Sequence, residues 1–209
     1  MNPHKVTEAF EQAICDYTGA PYCVCLDNCS NALFLALKYY NVEGRNVYIP
    51  ERTYMSVPCE IIHAGGKVVF LPREGNTIKG KYFLMGTNVW DSALSFTADM
   101  YIPESVMCCS FTGPYKHLKL GMGGCILTDS EDAYIWFKRS RFSGRGEVSY
   151  HDDNFTQLGW NMYMNPLVAS LGLLLIQQFY NLDGTKIVME DIELPYPNLS
   201  KFKIYTDGV

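Results

Sequence analysis

Tyr22-Cys-Val-Cys-Leu-Asp-Asn-Cys-Ser-Asn-Ala32, with the apolar run that follows it to Tyr40, decides the fold. Residues 22–26 are short and apolar and read as a buried strand. Residues 27–30 form a polar turn, and residues 32–40 have a helical pattern. A strand that passes through a polar turn into a helix leaves the free N–H groups of the first helical turn pointing at an anion. Capping of the helix by Asn28 or Ser30 explains the same residues with no ligand at all, so both readings stand here.

The alternation continues on either side. Residues 6–17 place Phe10, Ile14 and Tyr17 at helical spacing with Glu8, Glu11 and Asp16 between them, and Gly19-Ala-Pro21 ends that helix. Residues 46–49 read as a strand ending at Pro50, residues 53–64 as a helix broken or started near Pro58, and residues 67–71 as another strand. Strands alternating with helices predict an α/β domain with a mostly parallel central sheet, and in such sheets ligands gather at the carboxyl ends of the strands. Residues 72–81 turn polar with Gly75, Asn76 and Gly80 and carry no helical pattern. Residues 82–90 read as a strand or a hairpin arm, and Asp91 directly after them is placed either to face a ligand or to form a turn.

Two further apolar runs, Val106-Met-Cys-Cys-Ser110 and Cys125-Ile-Leu-Thr128, read as buried strands. The loop between them carries Gly113, Pro114, Gly121, Gly123 and Gly124, so Lys116, His117 and Lys119 are cations on a structured loop. A lysine there is a candidate Schiff-base nucleophile, because burial lowers its pKa and positions its amine; a solvated loop lysine is the plainer alternative. Residues 130–141 read as a helix, residues 142–154 as a polar connection, and residues 165–180 as a long helix with Pro166 near its first turn. That helix is apolar on nearly every side, which predicts that it is central or covered by a partner subunit. No chemistry can be placed on residues 181–209.

With 209 residues, 48% of them hydrophobic and 14% aromatic, the chain buries a sizeable core as one domain or one domain with an appendage. A net charge of -5 gives no electrostatic footprint for nucleic acid, and no basic amphipathic stretch suggests a membrane surface. The longest apolar stretch, residues 167–176, falls short of the roughly 20 residues that span a bilayer. The N-terminus shows no signal-peptide pattern, so a cytoplasmic protein is expected. The eight cysteines lie mostly in apolar runs, as reduced thiols do, and none shows zinc-ligand spacing; no metal site is expected.

The ordered motifs Tyr22-x-Val-x-Leu-Asp-Asn-Cys-Ser-Asn-Ala-Leu33, Ile49-Pro-x-x-Thr-Tyr54, Ala64-Gly-Gly-Lys-Val-Val-Phe70, Asp91-Ser-Ala93, Ser110-Phe with Lys116 and Gly123-Gly124, and Gly159-Trp-Asn161 resemble the DegT/DnrJ/EryC1/StrS sugar aminotransferases. These are fold-type-I enzymes dependent on pyridoxal 5'-phosphate. The resemblance implies an α/β/α sandwich over residues 1–180, shortened between 71 and 90, and makes residues 181–209 a remnant of a smaller C-terminal domain. Position by position it implies that Lys116, seven residues before the glycine pair, binds the cofactor covalently and is the catalytic lysine, with Lys119 as the fallback. Asp91 matches the carboxylate that keeps the pyridine nitrogen protonated. Tyr54 matches an aromatic residue stacked on the cofactor ring, Ser30 and the N–H of Asn31 match the phosphate-binding turn, and Ser110 matches a second phosphate contact. Asn161 matches a residue that reaches the phosphate of a neighbouring subunit, which implies a homodimer. Leu94 stands where relatives carry Gln or His near the cofactor's phenolic oxygen.

The implied activity is amino transfer from a donor such as glutamate to a nucleotide-linked keto sugar, feeding surface glycan synthesis. Lys116 favours this over the dehydrase branch of the family, where His replaces the lysine, although His117 is its neighbour. The alternative is a dimer that keeps the fold and binds the cofactor or a sugar nucleotide without turnover, an expectation motivated by the shortened core and small C-terminal part.

Overall fold

In the computed structural model, which describes residues 4–206, the chain runs α1 (His4–Thr18), β1 (Tyr22–Leu26), α2 (Cys29–Tyr39), β2 (Asn46–Pro50), α3 (Ser56–His63), β3 (Lys67–Leu71), β4 (Thr77–Lys79), β5 (Tyr82–Leu84), β6 (Val89–Asp91), β7 (Val106–Ser110), β8 (Gly124–Thr128), α4 (Glu131–Ser140), α5 (Pro166–Leu175) and β9 (Glu193–Pro195). Single 3-10 turns span Ile176–Phe179, Leu199–Lys201 and Lys203–Tyr205. The strand and helix expectations from residue 6 to residue 141 all appear, with ends shifted by a few residues, and the run at 82–90 is a β5–β6 hairpin.

Period-2 alternation along the central strands builds two cores. Val24, Leu26, Val106, Cys108 and Ile126 face one layer with Leu33, Leu37, Ile61 and Phe137 from α2, α3 and α4. Cys23, Cys25, Met107, Cys109, Cys125 and Leu127 face the other, against Phe10, Ile14 and Tyr17 of α1 and Ala169 of α5. Each strand therefore buries both faces, which explains the unbroken apolar runs in the sequence. This is an α/β/α sandwich.

Strand order in the main sheet is β1-β8-β7-β6-β5. β6 and β7 are parallel, β8 opposes β7, and β1 opposes β8, so β1 shares the direction of β7. β5 opposes β6, and Tyr48 of β2 exchanges backbone hydrogen bonds of 3.0 Å with Met85 beyond β5, in antiparallel sense. β3 lies parallel to β2. Across β3-β2-β5-β6-β7-β8-β1, five of seven strands thus point one way. The sheet is nonetheless mixed: the tight turn at Thr87 folds β5 back on β6, and the loop 111–123, which its glycines and proline keep from forming a helix, returns as β8 at the side of β7.

One close approach fixes the two layers against each other. A Cβ on Gly124 would lie 2.6 Å from the Cys29 nitrogen and 2.8 Å from both the Asn28 carbonyl carbon and the Cys109 oxygen. Only glycine lets the start of β8 lie between β7 and the turn into α2. Behind it, the fully buried Arg141 pairs with Glu11 and, at 2.7 Å, with Glu147, under the Tyr163 ring at 4.7 Å, tying α1 to the segment after α4.

The helix expected over 165–180 is α5 plus the 3-10 turn, capped by Asn165 with Pro166 in its first turn. It is not central. Gly172 packs on the Phe10 ring of α1, whereas Leu167 is 79% and Leu174 68% exposed. Among the described residues no helix is long and apolar enough to cross a membrane.

Gly124→Ala is expected to destabilise the protein by about 1–3 kcal/mol, the usual cost of overpacking. For a chain of this size that lowers Tm by roughly 3–10 °C. A thermal melt checks it; an unchanged Tm would show that the approach is not tight.

Candidate active site

Four strands that share a direction deliver their C-terminal ends to one place. β1 leads into Asn28, Cys29 and Ser30; β2 into Tyr54; β6 ends at Asp91 and leads to Ala93; β7 ends at Ser110. These residues, with Thr112, Tyr115, Lys116, Leu194 and Tyr196 among others, line a cavity of about 600 Å³. The carboxyl-end location predicted for an α/β sheet is where the cavity lies.

Lys116 is half-buried on the loop between β7 and β8, and its Nζ donates to the Ala93 carbonyl at 2.6 Å. The loop is held by Phe111, whose N–H donates to Gly123 O (2.9 Å), and by Leu120, whose N–H donates to Phe111 O (3.0 Å). Phe111, Leu118 and Leu120 are buried under it. Burial pulls the Lys116 amine below the usual lysine range, while Cys29 and Asp91 pull it partly back. Lys119 is exposed and does not line the cavity.

Asp91 is 4% exposed. Its Oδ2 accepts from the Tyr82 hydroxyl (2.8 Å) and its Oδ1 from the Ala93 N–H (3.0 Å). Tyr82 is its cross-strand partner in the hairpin, and the Tyr82 hydroxyl also bonds Thr53. Burial raises the Asp91 carboxyl above its ordinary value, and the Ala93, Tyr82 and Lys116 contacts only partly offset this.

At the start of α2, Asn28 Oδ1 accepts the Asn31 N–H at 2.8 Å, and the Asn31 side chain donates to Asp27 Oδ1 at 2.8 Å. The N–H expected to meet a phosphate is therefore engaged by the cap, and Asn31 is not among the lining residues. Ser30 does line the cavity; its Oγ donates to Ser56 Oγ at the start of α3 (2.7 Å). Ser110 also lines the cavity and accepts a long bond from Thr112 N (3.4 Å). Tyr54 lines the mouth, half exposed. Asn161 does not line the cavity; it is exposed and paired with Phe142. Leu94 is buried in the core, and it is Ala93 that faces the site.

Sequence reading missed Tyr82, Thr53, Ser56 and the wall formed by residues 194–196. Tyr82 was legible in principle as the hairpin partner of Asp91. The last wall carried no local signal, because β9 reaches the site by pairing with β4, Thr77 opposite Pro195.

Residues 2–81 match the DegT/DnrJ/EryC1/StrS aminotransferase family. Over 228 aligned residues the chain is 24% identical to UDP-4-amino-4,6-dideoxy-N-acetyl-beta-L-altrosamine transaminase of Campylobacter jejuni subsp. jejuni, covering 90% of this chain and 60% of that protein. Among solved structures, 3-amino-5-hydroxybenzoic acid synthase superposes with a TM-score of 0.74 at 19% identity, covering 84% of this chain and 56% of that one. The PMP form of the sugar aminotransferase homologue Spr1654 from Streptococcus pneumoniae gives 0.70 at 20%, covering 83% and 58%. The family resemblance and the fold expected from the motifs are both borne out. The chain spans 56–60% of the length of the first two of these proteins.

Because the folded state holds the Asp91 proton more tightly than the unfolded chain, stability conferred by this carboxyl is present at low pH and is lost as pH rises from about 4 through its raised value. Asp91→Asn lacks that titration. The stability of the wild type relative to Asp91→Asn is expected to fall between pH 4 and 7, by about 1.4 kcal/mol per unit of raised pKa. Urea melts across that range check the sign, and a flat or rising difference would contradict it.

Proposed function

We propose that this chain is the cofactor-binding part of a pyridoxal-phosphate-dependent sugar aminotransferase, moving an amino group from a donor such as glutamate to a nucleotide-linked keto sugar. The observation that carries the reading is the meeting of a desolvated lysine amine, a buried carboxylate, a serine hydroxyl at a helix start, a second at a strand end and an aromatic ring in one cavity. That donor set fits the cofactor. Its aldehyde calls for an amine, its ring nitrogen for an acid, and its phosphate for hydroxyls at a helix N-terminus.

When bound, pyridoxal phosphate supplies an electron sink for the charge left as a proton leaves the carbon bearing the amino group. The Asp91 carboxylate, held in place by Tyr82 and Ala93, keeps a proton on the ring nitrogen. Ser30 and Ser110, which both line the cavity, would bind the phosphate, and the Tyr54 ring would cover the pyridine face. Lys116 would hold the cofactor's aldehyde carbon through Nζ, and that amine, when freed by the donor, would stand as the base for the 1,3-transfer of the proton on the amine-bearing carbon. Burial suits it to that exchange by making its neutral form easier to reach.

Support for the sugar substrate comes from the altrosamine transaminase relative. In this reading the protein works in the cytoplasm as a pair of copies, with Asn161 of each reaching the cofactor phosphate of the other. The exposed positions of Asn161 and of Leu167 and Leu174 on α5 suit such a pairing.

Incubation with pyridoxal phosphate, dialysis and borohydride reduction are expected to fix the cofactor on the peptide carrying Lys116, and glutamate added beforehand is expected to prevent it. Lys116→Ala abolishes the label. Absence of a retained label in the wild type overturns the reading, and a label retained in the variant moves the role to Lys119. Sedimentation equilibrium is expected to show a dimer that Leu167→Glu together with Leu174→Glu converts to monomer; a wild-type monomer contradicts the pairing.

A further inference from the structure

The segment from residue 189 to residue 199 lies across the site as a strap. Its backbone is bonded to the elements that hold the catalytic groups. The Ile192 N–H donates to the Leu94 carbonyl (2.9 Å), one residue beyond the carbonyl that receives Lys116 Nζ. His117, next to the lysine, bonds the Glu190 carbonyl through Nε2 (2.8 Å). The Gly80 N–H donates to the Ile192 carbonyl (2.9 Å), and the Leu199 N–H to the Glu51 carbonyl (2.7 Å).

Within this strap Tyr196 is fixed from both sides. Its N–H donates to Asn76 O (3.1 Å), and its carbonyl accepts from Arg52 Nη1 (3.1 Å). Its side chain lines the cavity, with its ring centroid 6.3 Å from that of Tyr54 and the two planes at 73°. Tyr82, behind the cavity wall, spends its hydroxyl on Asp91 and Thr53. Among the described residues no group hydrogen-bonds the Tyr196 hydroxyl, so its proton is available to whatever fills the cavity.

Resting on the reading of this cavity as a pyridoxal phosphate site, we infer that Tyr196 is a cofactor-holding residue. Its ring forms a corner with Tyr54 that confines the pyridine ring, and its hydroxyl donates a hydrogen bond to an oxygen of the bound cofactor. Donation persists at every working pH, because burial, with Asp91 and Tyr54 nearby, pushes the phenol up to about 12. A half-buried aromatic corner carrying an unspent hydroxyl is a ligand-orienting arrangement: the rings supply area and the hydroxyl supplies direction. The strap thereby contributes a ligand contact as well as a wall.

The test measures the dissociation constant for pyridoxal phosphate, by fluorescence quenching, in the wild type, Tyr196→Phe and Tyr196→Ala, with a thermal melt on each. Tyr196→Phe keeps the ring and is expected to weaken binding about three- to tenfold, the worth of one hydrogen bond. Tyr196→Ala is expected to weaken it by more than about tenfold. A purely structural tyrosine would lower Tm in Tyr196→Ala and leave the affinity of Tyr196→Phe unchanged, so Tyr196→Phe decides even where the alanine variant unfolds. Wild-type uptake with unchanged affinity in Tyr196→Phe overturns the donor role, and unchanged affinity in a folded Tyr196→Ala overturns the whole inference while leaving the cofactor reading intact. Failure of the wild type to bind the cofactor overturns both.

Discussion

The backbone of Gly124 lies against the turn between β1 and α2 with no room for a methyl group on either side. That contact sets where α2 begins relative to the ends of β7 and β8, and so where Ser30 stands relative to Ser110 and to the loop carrying Lys116. Gly123, at a φ of 118°, turns the chain out of that loop and into the contact. Had β8 begun one residue earlier or later, its apolar side chains would have exchanged faces, and Cys125 and Leu127 would have left the α1 side of the sheet. One glycine pair thus settles both the register of a core strand and the shape of the cavity above it.

Around that frame the site gathers ionisable groups at a cost. A carboxylate almost without solvent and an amine half withdrawn from it are each disfavoured as charges, and each partly compensates the other. Two neutral hydroxyls, those of Tyr82 and Thr53, extend the support one step further from the cavity. A protein concerned only with stability would fill this space with apolar side chains, which do the same packing without desolvating charge. The arrangement is what a binding cavity for a polar, anionic, aromatic molecule requires.

The sandwich was legible because it follows from local pattern. Apolar runs in β1, β7 and β8 bury both faces, and the caps at Asn28 and Asn165 stand where helices start. Lys116 and Asp91 were placed beside the cavity for a related reason: Asp91 ends a strand and Lys116 lies on the loop after one, each strand recognisable on its own. What escaped depended on distance along the chain. Whether a strand returns parallel or antiparallel depends on the neighbour it pairs with, which its own residues do not express, and this hid the reversals at β5 and β8. The position of α5 at the outside rather than the centre depends on what lies beyond it, which its own composition cannot express. The Asn31 N–H was assigned by resemblance to a phosphate, yet the plain capping alternative describes the geometry found, with Asn28 as the acceptor. Residues 194–196 escaped altogether, since Pro195-Tyr-Pro197 has no period and gains meaning only beside Arg52, Asn76 and Thr77.

The pairing of β9 with β4 also orders events in time. Ribosomes make the chain from its N-terminus, and the sheet, the helices of both layers and the lysine loop can all be in place while residues 189–199 are still inside the exit tunnel. The cavity at that stage is a groove open along one side. It becomes enclosed only when Tyr196 emerges and docks between Arg52 and Asn76, more than 100 residues along the chain from both of them. Closure of this site therefore follows the assembly of the sheet and of the lysine loop, and the two can be separated in time.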